Sequence, residues 1–100
     1  MNNDGRTALS WAALYGKDAV ATQLLQAKAN PNAADNDGDT PLHRAAVNGR
    51  AALVDVLLQA KANPSAVNKE GQTPAQYAEQ AGHTELAARL RQAASGAASQ

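Results

Sequence analysis

The sequence contains no cysteine, no phenylalanine and no isoleucine, and only one tryptophan and two tyrosines. Without cysteine there are no disulfides and no thiol chemistry. A cytoplasmic setting is the default expectation, although cysteine-free secreted proteins, effectors among them, leave a secreted one open. Few aromatic and β-branched side chains means little strand-forming material. No run approaches the roughly 20 apolar residues of a membrane span, and the opening Met1-Asn2-Asn3-Asp4 is polar and acidic, unlike a signal peptide. Charge of one sign is also missing. Nine basic residues balance nine acidic ones, with three against three in residues 1–36, four against three in 37–69 and two against three in 70–100. No segment offers the basic excess that phosphate or an anionic membrane requires, so neither nucleic acid nor membrane is an expected partner.

What the chain does have is alanine: 25 of its 44 hydrophobic residues. Alanine buries little area but has the best helix propensity. The composition therefore suits thin helices packed closely in layers, within a length of 100 residues that is one domain's worth.

The layers are visible as a repeat. Asp4-Gly5-Arg6-Thr7 returns as Asp37-Gly38-Asp39-Thr40 and as Glu70-Gly71-Gln72-Thr73, at intervals of 33. Gly16, Gly49 and Gly82 keep the interval, as do Leu24, Leu57 and Leu90. The stretch LLQAKANP from Leu24 to Pro31 recurs unchanged from Leu57 to Pro64. Local chemistry defines each unit. Thr40 followed by Pro41 is a helix start, a hydroxyl cap and then a proline where no N–H is needed. Leu42, Ala45, Ala46 and Gly49 lie on one face of a short helix that the glycine ends. Leu53, Val54, Val56, Leu57 and Leu58 give a second, more apolar helix, which Asn63-Pro64 stops. The polar residues from Ser65 to Thr73, with Gly71, predict a hairpin-like connector. One unit cannot bury its own apolar faces, so units must stack.

Thr40-Pro41-Leu42-His43, Ala45-Ala46, Gly49 and Leu57-Leu58 together resemble the ankyrin-repeat family over about residues 2–94. The resemblance implies an all-α solenoid of stacked helix-turn-helix units joined by β-hairpin-like loops. One domain spans 1–94, with repeats at about 2–34, 35–67 and 68–94, and 95–100 is expected to be a disordered tail. Departures from the pattern mark the ends of the stack. The third repeat has Glu79 for Ala46, Arg89 for Val56 and Arg91 for Leu58, as a C-terminal cap with no further neighbour would. The first has Gln23 for Val56 but keeps Trp11, Leu14 and Tyr15, so it is only partly capped. Where the family usually places glycine after the second helix, this chain has Lys28 and Lys61. A left-handed backbone there costs about 1 kcal/mol more than with glycine.

No catalytic or metal constellation accompanies the repeat. His43 and His83 fall at positions with structural roles in the family, and no nucleophile triad or ligand spacing is present. Asp35-Asn36-Asp37-Gly38-Asp39 suggests a calcium loop, but its glycine is fourth rather than sixth and Ala46 stands where a bidentate glutamate belongs. It reads as a polar hairpin tip, whose three carboxylates could form an acidic patch for a basic partner. No cofactor is expected, and no enzymatic activity.

The resemblance implies a protein partner met by the hairpin tips and the concave ends of the first helices. The candidate residues are Asn3, Asp4 and Arg6, then Asn36, Asp37 and Asp39, then Lys69, Glu70 and Gln72 at the tips. On the helices they are Trp11, Leu14, Tyr15, Val47, Asn48 and Gln80. Aromatic residues are enriched at binding hot spots, but Trp11, Leu14 and Tyr15 could equally cover the exposed end of the stack. Arg44, in register with Trp11 and Tyr77, reads as packing. The chain is expected to be a monomer, and self-association through the incompletely capped first repeat is the alternative.

Overall fold

The computed structural model describes residues 8–99. Six helices follow in order: α1 Ala8–Leu14, α2 Asp18–Gln26, α3 Pro41–Val47, α4 Ala51–Gln59, α5 Pro74–Gln80 and α6 Thr84–Ser99. No strand occurs among the described residues. Helices of seven to nine residues are too short to persist alone in water, so packing must hold them. α1, α3 and α5 stack as one row, α2 packs on α4, and each first helix packs on the second helix of its own unit.

The starts of α3 and α5 are built alike. The Thr40 hydroxyl accepts from the His43 N–H, and the Thr73 hydroxyl from the Gln76 N–H. In return His43 Nδ1 and Gln76 Oε1 accept the backbone N–H of their threonines at 3.1 and 2.9 Å. Each is a reciprocal capping box with proline at the first helical position.

The five helix ends that precede another element also share one closure. After α1, α3 and α5, Gly16, Gly49 and Gly82 adopt φ values of 68°, 68° and 88°. After α2 and α4, Lys28 and Lys61 take the same left-handed turn at 74° and 76°. In each case the N–H of the left-handed residue and that of its successor bond back to two of the helix's last carbonyls; at Lys61 the two bonds are Lys61 to Leu58 and Ala62 to Leu57, both 3.0 Å. This is the Schellman arrangement, made twice with lysine in place of glycine.

The connectors are hairpin-like without becoming strands. Asn30 and Asn63 each accept the N–H two residues on, turning the chain after the helix. Further along, Asp35 donates its N–H to the Asp39 carbonyl, and Asn68 to that of Gln72, each at 3.0 Å. Neighbouring loops then join through the Lys69 N–H, 3.1 Å from the Asp37 carbonyl.

Nine of the sixteen buried apolar residues are alanines, which lets the helices approach closely, as the composition predicts. Leu9, Leu42, Leu53, Val54, Leu57, Leu86 and Leu90 fill the remaining space, each worth about 2 kcal/mol of apolar burial. Leu57 and Leu90 are fully buried, whereas their counterpart Leu24 in the first unit is half-buried. At the opposite end the cap substitutions pair with one another: Arg91 meets Glu79 at 2.7 Å, and Arg89 reaches back to Asp55 of α4 at 2.8 Å. α6 continues as helix through Ser99, across the segment read from sequence as a disordered tail; its alanines outweigh Gly96 in helix propensity. No helix among the described residues is long and apolar enough to cross a membrane.

Candidate partner-binding surface

The hairpin tips rest on a buried polar cluster that ties the second repeat to the third. Asp35 turns its loop by accepting the N–H groups of Asp37 and Asp39 on Oδ1, at 2.9 and 3.0 Å. Its other oxygen lies 2.6 Å from the Arg44 guanidinium, which also reaches Asp39 at 3.2 Å. Burial opposes ionisation of Asp35. The Arg44 hydrogen bond, the N–H groups of Asp39 and Asp37 and the Arg44 charge outweigh it, and its pKa stays below the ordinary carboxylate value. In the next repeat Asn68, in register with Asp35, accepts from the N–H groups of Glu70 and Gln72 in the same way. Its amide then donates to Asp39 Oδ1 at 2.9 Å, and the Tyr77 hydroxyl donates to that oxygen at the same distance. Burial, with the Asp39 hydrogen bond and charge beside it, raises the Tyr77 pKa to about 12.

His43 completes the tie. It is fully buried. With Nδ1 accepting from Thr40, Nε2–H donates to the Gln72 carbonyl of the following loop at 2.8 Å. Burial is the largest influence on this imidazole and lowers its pKa, so the neutral ring is the folded form. Its counterpart Gln76 is exposed and keeps the capping box, accepting the Thr73 N–H.

This cluster changes the reading of one tip residue. Asp39, expected to face a partner, is only 3% exposed, because its carboxylate is the acceptor for Arg44, Asn68 and Tyr77. The expected patch of three carboxylates therefore reduces to Asp37, whose side chain is 79% exposed. Ligand atoms of Asp35, Asp37 and Asp39 do come within 4.8 Å of one another. The Arg44 guanidinium already supplies the positive charge there.

The remaining candidates divide by location. Asn36, Asp37, Lys69 and Glu70 are exposed on the tips, while Gln72 is half-buried beneath them. Val47 on α3 and Gln80 on α5 border an open recess of about 430 Å³, with Glu70, Gln72, Tyr77 and Ala81 as the rest of its wall. Four candidates predicted from sequence, on a hairpin and two helices, thus meet around one concavity. Tyr77, in register with Trp11 and Arg44 and not among the sequence candidates, is half-buried and lines this recess as well. On α1 the Trp11 and Tyr15 rings stack at 5.1 Å and 15°, and Tyr15 is 59% exposed; Leu14 is half-buried. Asn48 is exposed but has a structural partner, its amide donating to the Leu14 carbonyl at the end of α1. Arg50 does likewise to Gly16 at 3.1 Å. These bonds satisfy carbonyls that a helix end leaves open. Asn3, Asp4 and Arg6 lie outside the described residues.

A second recess, of about 440 Å³, borders the starts of α4 and α6, where His83, Glu85 and Arg89 contribute. None of the candidate residues lines it. His83 there packs on Gly49, so closely that a Cβ on that glycine would fall 2.6 Å from the ring.

A family model described as ankyrin repeats, in three copies, matches residues 1–68 and 23–98. No match is found among curated proteins.

Proposed function

Because the chain belongs to the ankyrin-repeat family, whose members are in general protein–protein interaction modules, we propose that it binds a protein partner without catalysis. The surface runs along the hairpin tips and the concave ends of the first helices. The observation that carries this reading is the convergence of Val47, Glu70, Gln72 and Gln80 on one open recess. Their support is rigid. The tips stand on the Asp35–Arg44–Asp39–Tyr77 cluster, so little ordering entropy is lost when a partner settles on them. A non-catalytic role is supported at His43, which has both nitrogens engaged inside the fold.

The test is a comparison of two variants in affinity isolation from the native source. Val47→Lys with Gln80→Lys alters the recess, and Gln92→Lys alters an exposed position on α6. Loss of the captured partner with the first pair and retention with the second is expected. Retention with both removes the surface assignment. Self-association through the first repeat is a second reading, supported by the exposure of Tyr15 at 59% and Val20 at 47%. Light scattering over a concentration series decides it, since a constant monomer mass excludes it.

A further inference from the structure

We infer that the recess beside Tyr77 receives an arginine side chain from a basic segment of the partner. The inference rests on the concave-surface reading above and names the chemistry that surface selects. Three features of the wall correspond to the three parts of an arginine. Val47 provides apolar surface for the aliphatic stem. Tyr77 provides an aromatic ring beside which a guanidinium is held by cation–π attraction. Glu70 provides a carboxylate, the only ionised side chain on that wall, and a planar guanidinium can bond to it with two parallel N–H groups.

The ring is fixed before any partner arrives. The Tyr77 hydroxyl donates to Asp39 and accepts from the Asn68 amide at 2.7 Å, and its ring stands edge-to-face with His43 at 5.2 Å. A smaller recess of about 250 Å³ adjoins the first, sharing Tyr77 and Glu70 and adding Asp37. The Asp39 charge there is met by Arg44. Lys69 borders only this smaller recess, and among the described residues no ion pair engages Glu70 on the wall of the larger one. A lysine would satisfy the charge but lacks the flat, forked head that the ring and carboxylate together favour. An acidic segment is repelled by Glu70.

A displayed random-peptide library panned on the whole chain tests this, in parallel on the native sequence, on Glu70→Lys and on Val47→Lys with Gln80→Lys. The native chain is expected to select peptides with arginine enriched at one position. Replacing that arginine by alanine should weaken a selected peptide about tenfold, and Glu70→Gln roughly three- to fivefold, less so as salt rises. Glu70→Lys should abolish the arginine preference. Peptides that require Val47 and Gln80 but show no arginine enrichment, or keep it on Glu70→Lys, overturn the inference and leave the surface reading intact. Peptides indifferent to the Val47→Lys and Gln80→Lys pair overturn both.

Discussion

Lys28 and Lys61 are the only described non-glycine residues with positive φ, and they occupy turns that glycine closes elsewhere in the same chain. Replacing Lys61 by glycine should therefore stabilise the protein. A residue with a Cβ carries about 1–2 kcal/mol of strain in the left-handed region. Glycine removes that strain but gives the unfolded chain more freedom, a loss of about 0.5–1 kcal/mol. The difference is a gain of about 0.5–1 kcal/mol. Little else changes. The Lys61 side chain is exposed, and the bonds that residue 61 makes at the turn, its N–H to Leu58 and its carbonyl to the Asn32 amide at 3.3 Å, use its backbone atoms only. For a domain of this size the gain raises Tm by about 2–5 °C.

Thermal unfolding followed by circular dichroism measures it, with Lys61→Ala as the control. Alanine removes the lysine chain but keeps the Cβ, so its Tm should stay near that of the native sequence. A rise as large in Lys61→Ala as in Lys61→Gly would locate the gain in the lost side chain and refute the strain argument. No rise in Lys61→Gly would refute it outright. Lys28→Gly is the weaker case. Leu24 in its repeat is half-buried where Leu57 is fully buried, and a less buried unit that opens first passes less of its local gain to global stability.

Gly38 and Gly71 hold equivalent hairpin turns at φ 80° and 76°, but a Cβ on Gly38 would lie 2.8 Å from the Lys69 backbone nitrogen whereas one on Gly71 meets nothing within 4 Å. Gly71→Ala should cost about 1 kcal/mol and Gly38→Ala about 2–4 kcal/mol in urea unfolding; equal losses would deny that the loops pack on each other. His43 has a folded pKa below its ordinary value, so the unfolded chain binds more protons as pH falls below about 6.5 and stability drops there, by up to about 1.4 kcal/mol per pH unit, until the folded ring titrates. His43→Gln can keep the capping box, as Gln76 does, but carries no titrating ring; an unchanged dependence of Tm on pH between about 7.5 and 5 would refute the assignment.

Features that repeat were legible in the sequence, and features that join one repeat to the next were largely not. The Thr-Pro helix starts, the glycine helix ends and the strained lysines all follow from local backbone chemistry, which a spacing of 33 displays several times over. Asp39 shows the limit. Within its own loop it is an acidic residue beside a turn glycine, and nothing local distinguishes it from the exposed Asp37. What buries it are Arg44 in its own repeat and Asn68 and Tyr77 in the next, brought together only by stacking. One signal was available and was not used. Asn68 stands 33 residues after Asp35, and both have the short polar side chain that ties a loop to its own N–H groups. The same comparison explains the changes at the last repeat. Gln76, which is exposed, replaces His43, which reaches the Gln72 carbonyl, and Gly82 faces open space where Gly49 meets His83. A difference between repeats is thus evidence about function only after the presence or absence of a neighbour has been accounted for. Asp39 differs from Gln72 at a hairpin tip in that it holds the next repeat through Asn68 and Tyr77, whereas Glu70 is exposed in its loop.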